Sequence, residues 1–172
     1  MAKLLVLMIL ILAASNGKNL ELAQQIMLRA EGLGLDAELL DLTEVDLPLF
    51  TPQKKEEGMP AQLQSAKQQF ARAQAMFFCA PEYNGSIPPV LSNIIAWLSV
   101  DGKDFRTLFN GKPLGIATHS GGAGQKVLTS MRIQFSHLGA NVIGREILTN
   151  SKKAMNPDSV DSILKQLDRL SA

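Results

Sequence analysis

The chain has 172 residues, 17 basic and 16 acidic side chains for a net charge of +1, one Cys and two His. That length supports a single domain, residues 1–172, burying roughly 70% of its unfolded surface, and the near-neutral balance lacks the basic stripe of a nucleic-acid or anionic-membrane binder. One Cys without a CxxC excludes an internal disulfide framework, leaves little material for a metal site and fits a reducing compartment, so a cytoplasmic protein with a small-molecule partner is expected.

The first segment, "MAKLLVLMILILAAS", also has the layout of a secretory signal: one Lys, an apolar run, then small residues. It is too short to span a bilayer, and "SNGKNLELAQQIM" starts a helix directly after it. Cleavage near Ala14 would remove the strongest strand in the chain, so Lys3 to Ala13 is read as strand one. Its uniform apolarity suits a parallel strand covered on both faces. Asn19 to Leu33 places Leu20, Ala23, Met27 and Ala30 at helical spacing and ends at Gly32 and Gly34. "DAELLDL" is a short second strand.

"TEVDLPLFTPQKKEEGMP" is Pro-rich, charged and irregular, and long loops in compact domains often lie near a site. A polar-faced helix from Pro60 to Ala73 and a third strand, "AMFFCA", follow. Pro88 or Pro89 opens a helix to Ser99, since Pro suits a first turn. "KPLGIATH" is strand four, and Gln125 to His137 is a helix with Val127, Leu128, Met131 and Phe135 inward. "NVIGREIL" makes strand five. Asp158 to Leu170 closes the chain as an amphipathic helix.

Strands alternating with helices, joined by right-handed crossovers, predict a doubly wound α/β sheet of five parallel strands in the order 2-1-3-4-5. In that order strands one, three and four are neighbours, and a ligand belongs outside their carboxyl ends. Those ends carry "ASNGKN", "APEYNGS" and "THSGGAGQ". Ser15, Asn16, Gly17, Lys18 and Asn19 offer hydroxyl, amide and backbone donors at a helix N-terminus, which suits a phosphate; Ser15, Asn16 or Asn19 would equally serve as a simple helix cap. The loop is not a Walker P-loop, because Leu12 stands where Gly is needed and Asn19 directly follows Lys18.

Ser120, Gly121, Gly122, Ala123 and Gly124 let backbone N–H groups approach a flat ligand. Neither Ser120 nor Ser86 fits a nucleophile elbow, since Thr118 and Asn84 occupy the place of the preceding Gly. His119 and His137 read as a loop-edge residue and a helix C-terminal cation, and Cys79, inside an apolar strand, as core. A phosphorylated receiver domain would need Asp where Ala13, Ala14, Cys79 and Ala80 stand. No catalytic acid, base or nucleophile is expected.

The run Pro81, Glu82, Tyr83, Asn84, Gly85, Ser86 and Pro88, followed by Leu91, Asn93, Ile95, Trp97, Leu98 and Ser99, matches the pattern P-E-Y-N-G/H-S-x-P and x-x-L-x-N-x-I-x-W-L-S. On these residues the chain resembles the NAD(P)H-dependent FMN reductases of flavodoxin-like fold, a family that includes quinone, azo-dye and chromate reductases, over about Leu4 to Leu148. The resemblance implies a flavodoxin-like fold with bound FMN. It puts the phosphate on Ser15 to Leu20, the ribityl chain and isoalloxazine edge on Pro81 to Ser86, and the pyrimidine end on Ser120, Gly121, Gly122 and Gly124. It also implies hydride transfer from NAD(P)H through FMN to a small acceptor such as a quinone, azo compound, chromate or free flavin.

The family's usual S-x-R-x-x-S loop is altered here, with Gly17 in the Arg place and Leu20 in the second Ser place. Members are typically dimers or tetramers, and the helix "PPVLSNIIAWLS", apolar nearly all round, is expected at a subunit contact. Two alternatives stand beside the enzyme: a flavodoxin-like electron carrier, against which the +1 balance argues, and a relative that has lost FMN.

Overall fold

The computed structural model describes residues 8–171, so the part of the expected first strand and signal-like segment before Met8 lies outside them. Strand β1 (Met8–Ala13) leads into α1 (Lys18–Gly32), β2 (Asp36–Asp41), α2 (Pro52–Glu56), α3 (Ala61–Arg72) and β3 (Ala75–Cys79). Helix α4 (Pro89–Ser99), a 3₁₀ turn at Phe105–Leu108, β4 (Pro113–His119), α5 (Gln125–His137), β5 (Asn141–Val142), β6 (Ile147–Thr149) and α6 (Pro157–Ser171) complete the chain. The sheet runs β2-β1-β3-β4-β5, all pairs parallel, with β6 also on β4, which is the expected order.

Every residue of β1 and β3 is buried, which explains why these strands are apolar without alternation. Leu10, Leu12, Met76 and Phe78 pack on one face with Leu63 and Phe70 of α3, Leu91 and Trp97 of α4 and Phe135 of α5. Ile9, Ile11, Phe77 and Cys79 pack on the other with Leu22 and Ile26 of α1 and Ile163 and Leu164 of α6. Removing this apolar surface from water, at roughly 25 cal/mol per Å², drives both layers onto the sheet.

Two expectations need correction, and a third loses its stated ground. Strand five is not continuous: Val142 lies opposite Leu114 but Ile147 opposite Ala117, so the fifth strand carries two more residues than β4 between these pairs. The break is held from outside the strand. Arg132 of α5 donates to the carbonyls of Ile143 and Gly144 and to the Glu146 carboxylate, satisfying groups that the ladder leaves out.

The segment 43–60 is not wholly irregular. It contains α2, opened by Pro52 and capped by Thr51, whose hydroxyl accepts from Lys54 N–H at 3.0 Å.

The remainder of that segment covers α4, which removes the reason for expecting α4 at a subunit contact. Trp97 Nε1 donates to the Pro48 carbonyl at 2.7 Å, and the Phe50 ring stands edge-on to the indole at 5.2 Å. The Asn93 amide accepts from Phe50 N–H at 2.7 Å and donates to the carbonyls of Leu47 and Pro48. Between this cover and the sheet-facing core, Leu91, Ile94, Ile95, Trp97 and Leu98 are buried within one chain.

Candidate functional site

Strands β1, β3 and β4 lie side by side, so the loops at their carboxyl ends meet on one edge of the sheet. They are bonded to one another. Ala14 N–H donates to the Cys79 carbonyl at 2.9 Å and Ala80 N–H to the Ala117 carbonyl at 3.1 Å. The buried Asn19 side chain takes both backbone groups of His119: its amide donates to His119 O at 3.0 Å and its oxygen accepts from His119 N–H at 2.8 Å.

Around α1, none of the three candidate caps is used. The N-cap position is Gly17, and among the described residues no side chain caps the helix. Among the described residues no hydrogen bond engages the N–H groups of Ser15, Asn16 or Gly17. Asn16, Gly17 and Lys18 are exposed, Ser15 and Leu20 half-buried. Lys18 is drawn to Glu21, 2.8 Å away. The helix therefore presents open N–H donors and the positive end of its dipole to whatever lies beyond Gly17, a setting that suits an anion.

After β3, the buried Pro81 leads into a two-residue hairpin. Tyr83 and Ser86 exchange backbone hydrogen bonds at 3.1 and 3.0 Å, and Asn84 (φ 51°) and Gly85 (φ 76°) both take left-handed conformations. That is the geometry for which Asn-Gly is preferred. The turn presents Tyr83 half exposed. Glu82 points elsewhere: one of its carboxylate oxygens accepts from Lys126 N–H at 3.2 Å and Val127 N–H at 3.3 Å. The loop after β3 is thus fastened to the first turn of α5.

The third loop follows His119. Ser120 is buried, with its N–H on the Thr149 carbonyl at 3.1 Å and its hydroxyl accepting from Gly122 N–H at 3.2 Å. Gly121, Gly122 and Ala123 are exposed, and no hydrogen bond engages the N–H groups of Gly121, Ala123 or Gly124 among the described residues. Gly124 is obligatory on two counts. Its φ is +72°, and a Cβ there would stand 3.0 Å from Thr118 Cγ2 and 3.1 Å from Ser120 Cβ. The hydroxyl of the same Thr118 is buried without a hydrogen-bond partner among the described residues.

His119 does more than the edge role expected of it. Thr149 donates its hydroxyl hydrogen to the Thr118 carbonyl at 3.1 Å, so at 3.0 Å it accepts from His119 Nδ1–H, which sets the tautomer. Sequence reasoning missed Thr149, whose only signal is its place at the carboxyl end of β6. Cys79 is fully buried and burial alone pushes its thiol far up, away from the thiolate a nucleophile needs.

The edge thus combines an open helix N-terminus, a half-exposed aromatic ring on a rigid turn and unengaged backbone donors in a glycine loop. These can orient a flat ligand with an anionic tail. Two cavities of about 360 Å³ flank the edge, one between 42–49 and the start of α4, the other between α1, His119 and 149–155.

The model of the family described as NADPH-dependent FMN reductase matches residues 7–154. The NAD(P)H-dependent FMN reductase of Pseudomonas aeruginosa is 34% identical over 89 residues, 52% of this chain and 45% of that protein. The quinone reductase of Escherichia coli K12 is 40% identical over 55 residues, 31% of this chain and 29% of its own length, so the matched segments span less than half of these relatives. Among solved structures, a flavoenzyme NAD(P)H:(acceptor) oxidoreductase from Paracoccus denitrificans has a TM-score of 0.72 at 18% identity, covering 96% of each chain, and at that identity it shows the fold alone. The family match takes in all three loops and the whole sheet, and the chain belongs to the NADPH-dependent FMN reductase family.

Proposed function

We propose that the protein is an FMN-dependent oxidoreductase that takes hydride from NAD(P)H and delivers two electrons to a small acceptor such as a quinone, azo compound, chromate or free flavin. The observation that carries this reading is the uncapped N-terminus of α1, facing two other donor-bearing loops that hydrogen bonds draw onto the same edge. These residues fit FMN: a phosphate needs the open N–H groups and a flavin ring needs a flat, donor-lined wall.

Backbone N–H groups from Ser15 to Asn19 hold the phosphate, the Leu20 N–H being bonded to the Gly17 carbonyl at 2.9 Å, and they replace the Arg and second Ser that the family's first loop usually offers. Asn19 contributes through its main chain, because its side chain is bonded to His119. The hairpin after β3 lines the ring, with Tyr83 covering it and the main chain of Asn84 at its edge, while the Glu82 carboxylate is held on α5. The unengaged N–H groups of Gly121, Ala123 and Gly124, with Gly122 holding the loop through Ser120, stabilise negative charge gathering at the pyrimidine end without a titrating side chain. When bound, FMN supplies the redox chemistry; the protein binds, orients and provides the field.

The protein works in the cytoplasm as a homodimer or homotetramer. Leu28, Leu49 and Ile133, 66%, 73% and 67% exposed, are apolar side chains that a second copy could cover. Among the described residues no helix is long and apolar enough to cross a membrane.

The test is to purify the protein, ask whether it carries or tightly binds FMN, and follow oxidation of NADH and NADPH across the four acceptor classes. Failure to bind FMN overturns the proposal. FMN binding without oxidation of either nucleotide identifies an electron carrier instead. Light scattering over a concentration series that shows only monomer removes the oligomer.

A further inference from the structure

Two long helices begin at the site edge, and they begin alike. Both α1 and α5 have glycine at the N-cap, Gly17 and Gly124, and neither is capped by the side chain at that position. Each would offer an anion the open amides of its first turn and the positive end of its dipole. They differ in what fills their first-turn amides. The first-turn amides of α5, Lys126 N–H and Val127 N–H, are filled by a carboxylate oxygen of Glu82, brought in from a loop 44 and 45 residues away. Among the described residues no side chain outside α1 bonds to its first-turn amides in this way.

We propose that Glu82 is a built-in anion that closes the second of two competing phosphate seats, so that an incoming phosphate is accepted only at α1 and the ligand enters one way round. Glu82 is thus a positioning residue, acting through the amides of α5 rather than on the ligand. A carboxylate already bonded to these amides neutralises the helix end and repels a second anion. It also leaves the N–H groups of Gly121, Ala123 and Gly124, just upstream, for another partner. The same contact aligns the hairpin after β3: a Cβ at Gly85 would come within 3.2 Å of Lys126 Cδ, so the turn lies directly against the first turn of α5.

The inference rests on the proposed phosphate seat at α1, and it is tested without FMN or turnover. Apo protein, labelled for backbone amide NMR, is titrated with inorganic phosphate as wild type, Glu82→Gln and Glu82→Ala. In wild type the amides of residues 16–20 shift saturably while those of Lys126 and Val127 stay still. In both variants Lys126 and Val127 also shift saturably, and the phosphate stoichiometry rises from one towards two.

Glu82→Gln keeps an acceptor oxygen and removes only the charge, so it separates repulsion from a mere structural tie and remains informative if Glu82→Ala does not fold. The idea is overturned if Lys126 and Val127 respond to phosphate in wild type, or if they remain unmoved in both variants. Absence of any shift at 16–20 in wild type instead refutes the α1 seat, and with it the FMN reading. Reconstituted Glu82→Gln supplies a second readout: a mixture of two bound-flavin environments, seen as doubled flavin phosphorus resonances, where wild type shows one.

Discussion

The Asn19 side chain and the main chain of His119 exchange two hydrogen bonds, at 3.0 and 2.8 Å, between residues 100 apart in sequence. This pair ties the first turn of α1 to the end of β4 and so sets the angle at which the open N-terminus of α1 faces the glycine loop. Asn19→Ala leaves both His119 groups without a partner where water has poor access, at a cost of about 2–3 kcal/mol. The urea midpoint should fall accordingly. FMN affinity should fall by more than in a surface control of equal stability loss, because the two loops then move independently. Asn19→Asp should do nearly as badly, since it sets a carboxylate oxygen against the His119 carbonyl.

The Asn84–Gly85 turn separates backbone from side chain. Asn84 holds φ 51°, which glycine adopts without strain and a β-branched residue does not. Asn84→Gly should change stability by less than about 0.5 kcal/mol and keep FMN affinity, because the proposed contacts use the main chain. Asn84→Val should lower stability by about 1–2 kcal/mol and weaken FMN binding together. Calorimetry and a flavin fluorescence titration measure both; a large affinity loss in Asn84→Gly would show that the amide itself touches the ligand.

Much of this architecture is legible from local pattern. The apolar runs in β1 and β3 announce buried parallel strands, and the five-strand order places "ASNGKN", "APEYNGS" and "THSGGAGQ" together before any coordinate is known. What is not legible depends on a partner distant in sequence. "NVIGREIL" reads as one strand because the residue that breaks it, Arg132, sits in the preceding helix. The apolarity of α4 is plain, but its cover is not, since it requires Pro48 and Phe50 to fold back over Asn93 and Trp97. Glu82 lies inside a ligand-loop motif, and only the fold reveals that it faces α5.

Trp97 is the chain's only Trp, fully buried beneath residues 47–50, and so reports directly on that cover. Asn93→Ala removes the acceptor for Phe50 N–H and donors to two carbonyls. The segment should lift from α4, red-shifting the Trp emission and opening 43–60 to proteolysis, with a stability loss of about 1–3 kcal/mol. Unchanged emission and protease resistance would mean that Phe50 packing and the Trp97 bond suffice.

Thr118 sets its methyl against Gly124, and its buried hydroxyl has no partner among the described residues. Replacing an unsatisfied hydroxyl by a methyl of the same shape removes a desolvation cost, so Thr118→Val should be neutral or stabilising by up to about 1 kcal/mol in the apo protein. A clear loss of stability would show that an ordered water completes the hydroxyl.

Lys112 gives the chain a pH signature in the alkaline range. Its ammonium donates to the Phe70 carbonyl at 2.7 Å, yet burial pulls its pKa down from the ordinary lysine value to about 8. Between about pH 8 and 10.4 the unfolded lysine holds a proton that the folded one has released, so the unfolded state binds more protons and this group's contribution to stability rises with pH. Cys79 acts in the opposite sense. Its thiol stays protonated in the fold while the unfolded thiol ionises, so its contribution falls with pH above about 8.5. Single variants separate the two. Relative to wild type, Lys112→Met should lose the alkaline gain, its urea midpoint dropping away from the wild-type curve between pH 8 and 10. Cys79→Ala, after the constant cost of its smaller side chain, should approach or overtake wild type over the same interval. Parallel curves for wild type and Lys112→Met would show that solvent reaches the ammonium well enough to leave it as an ordinary lysine.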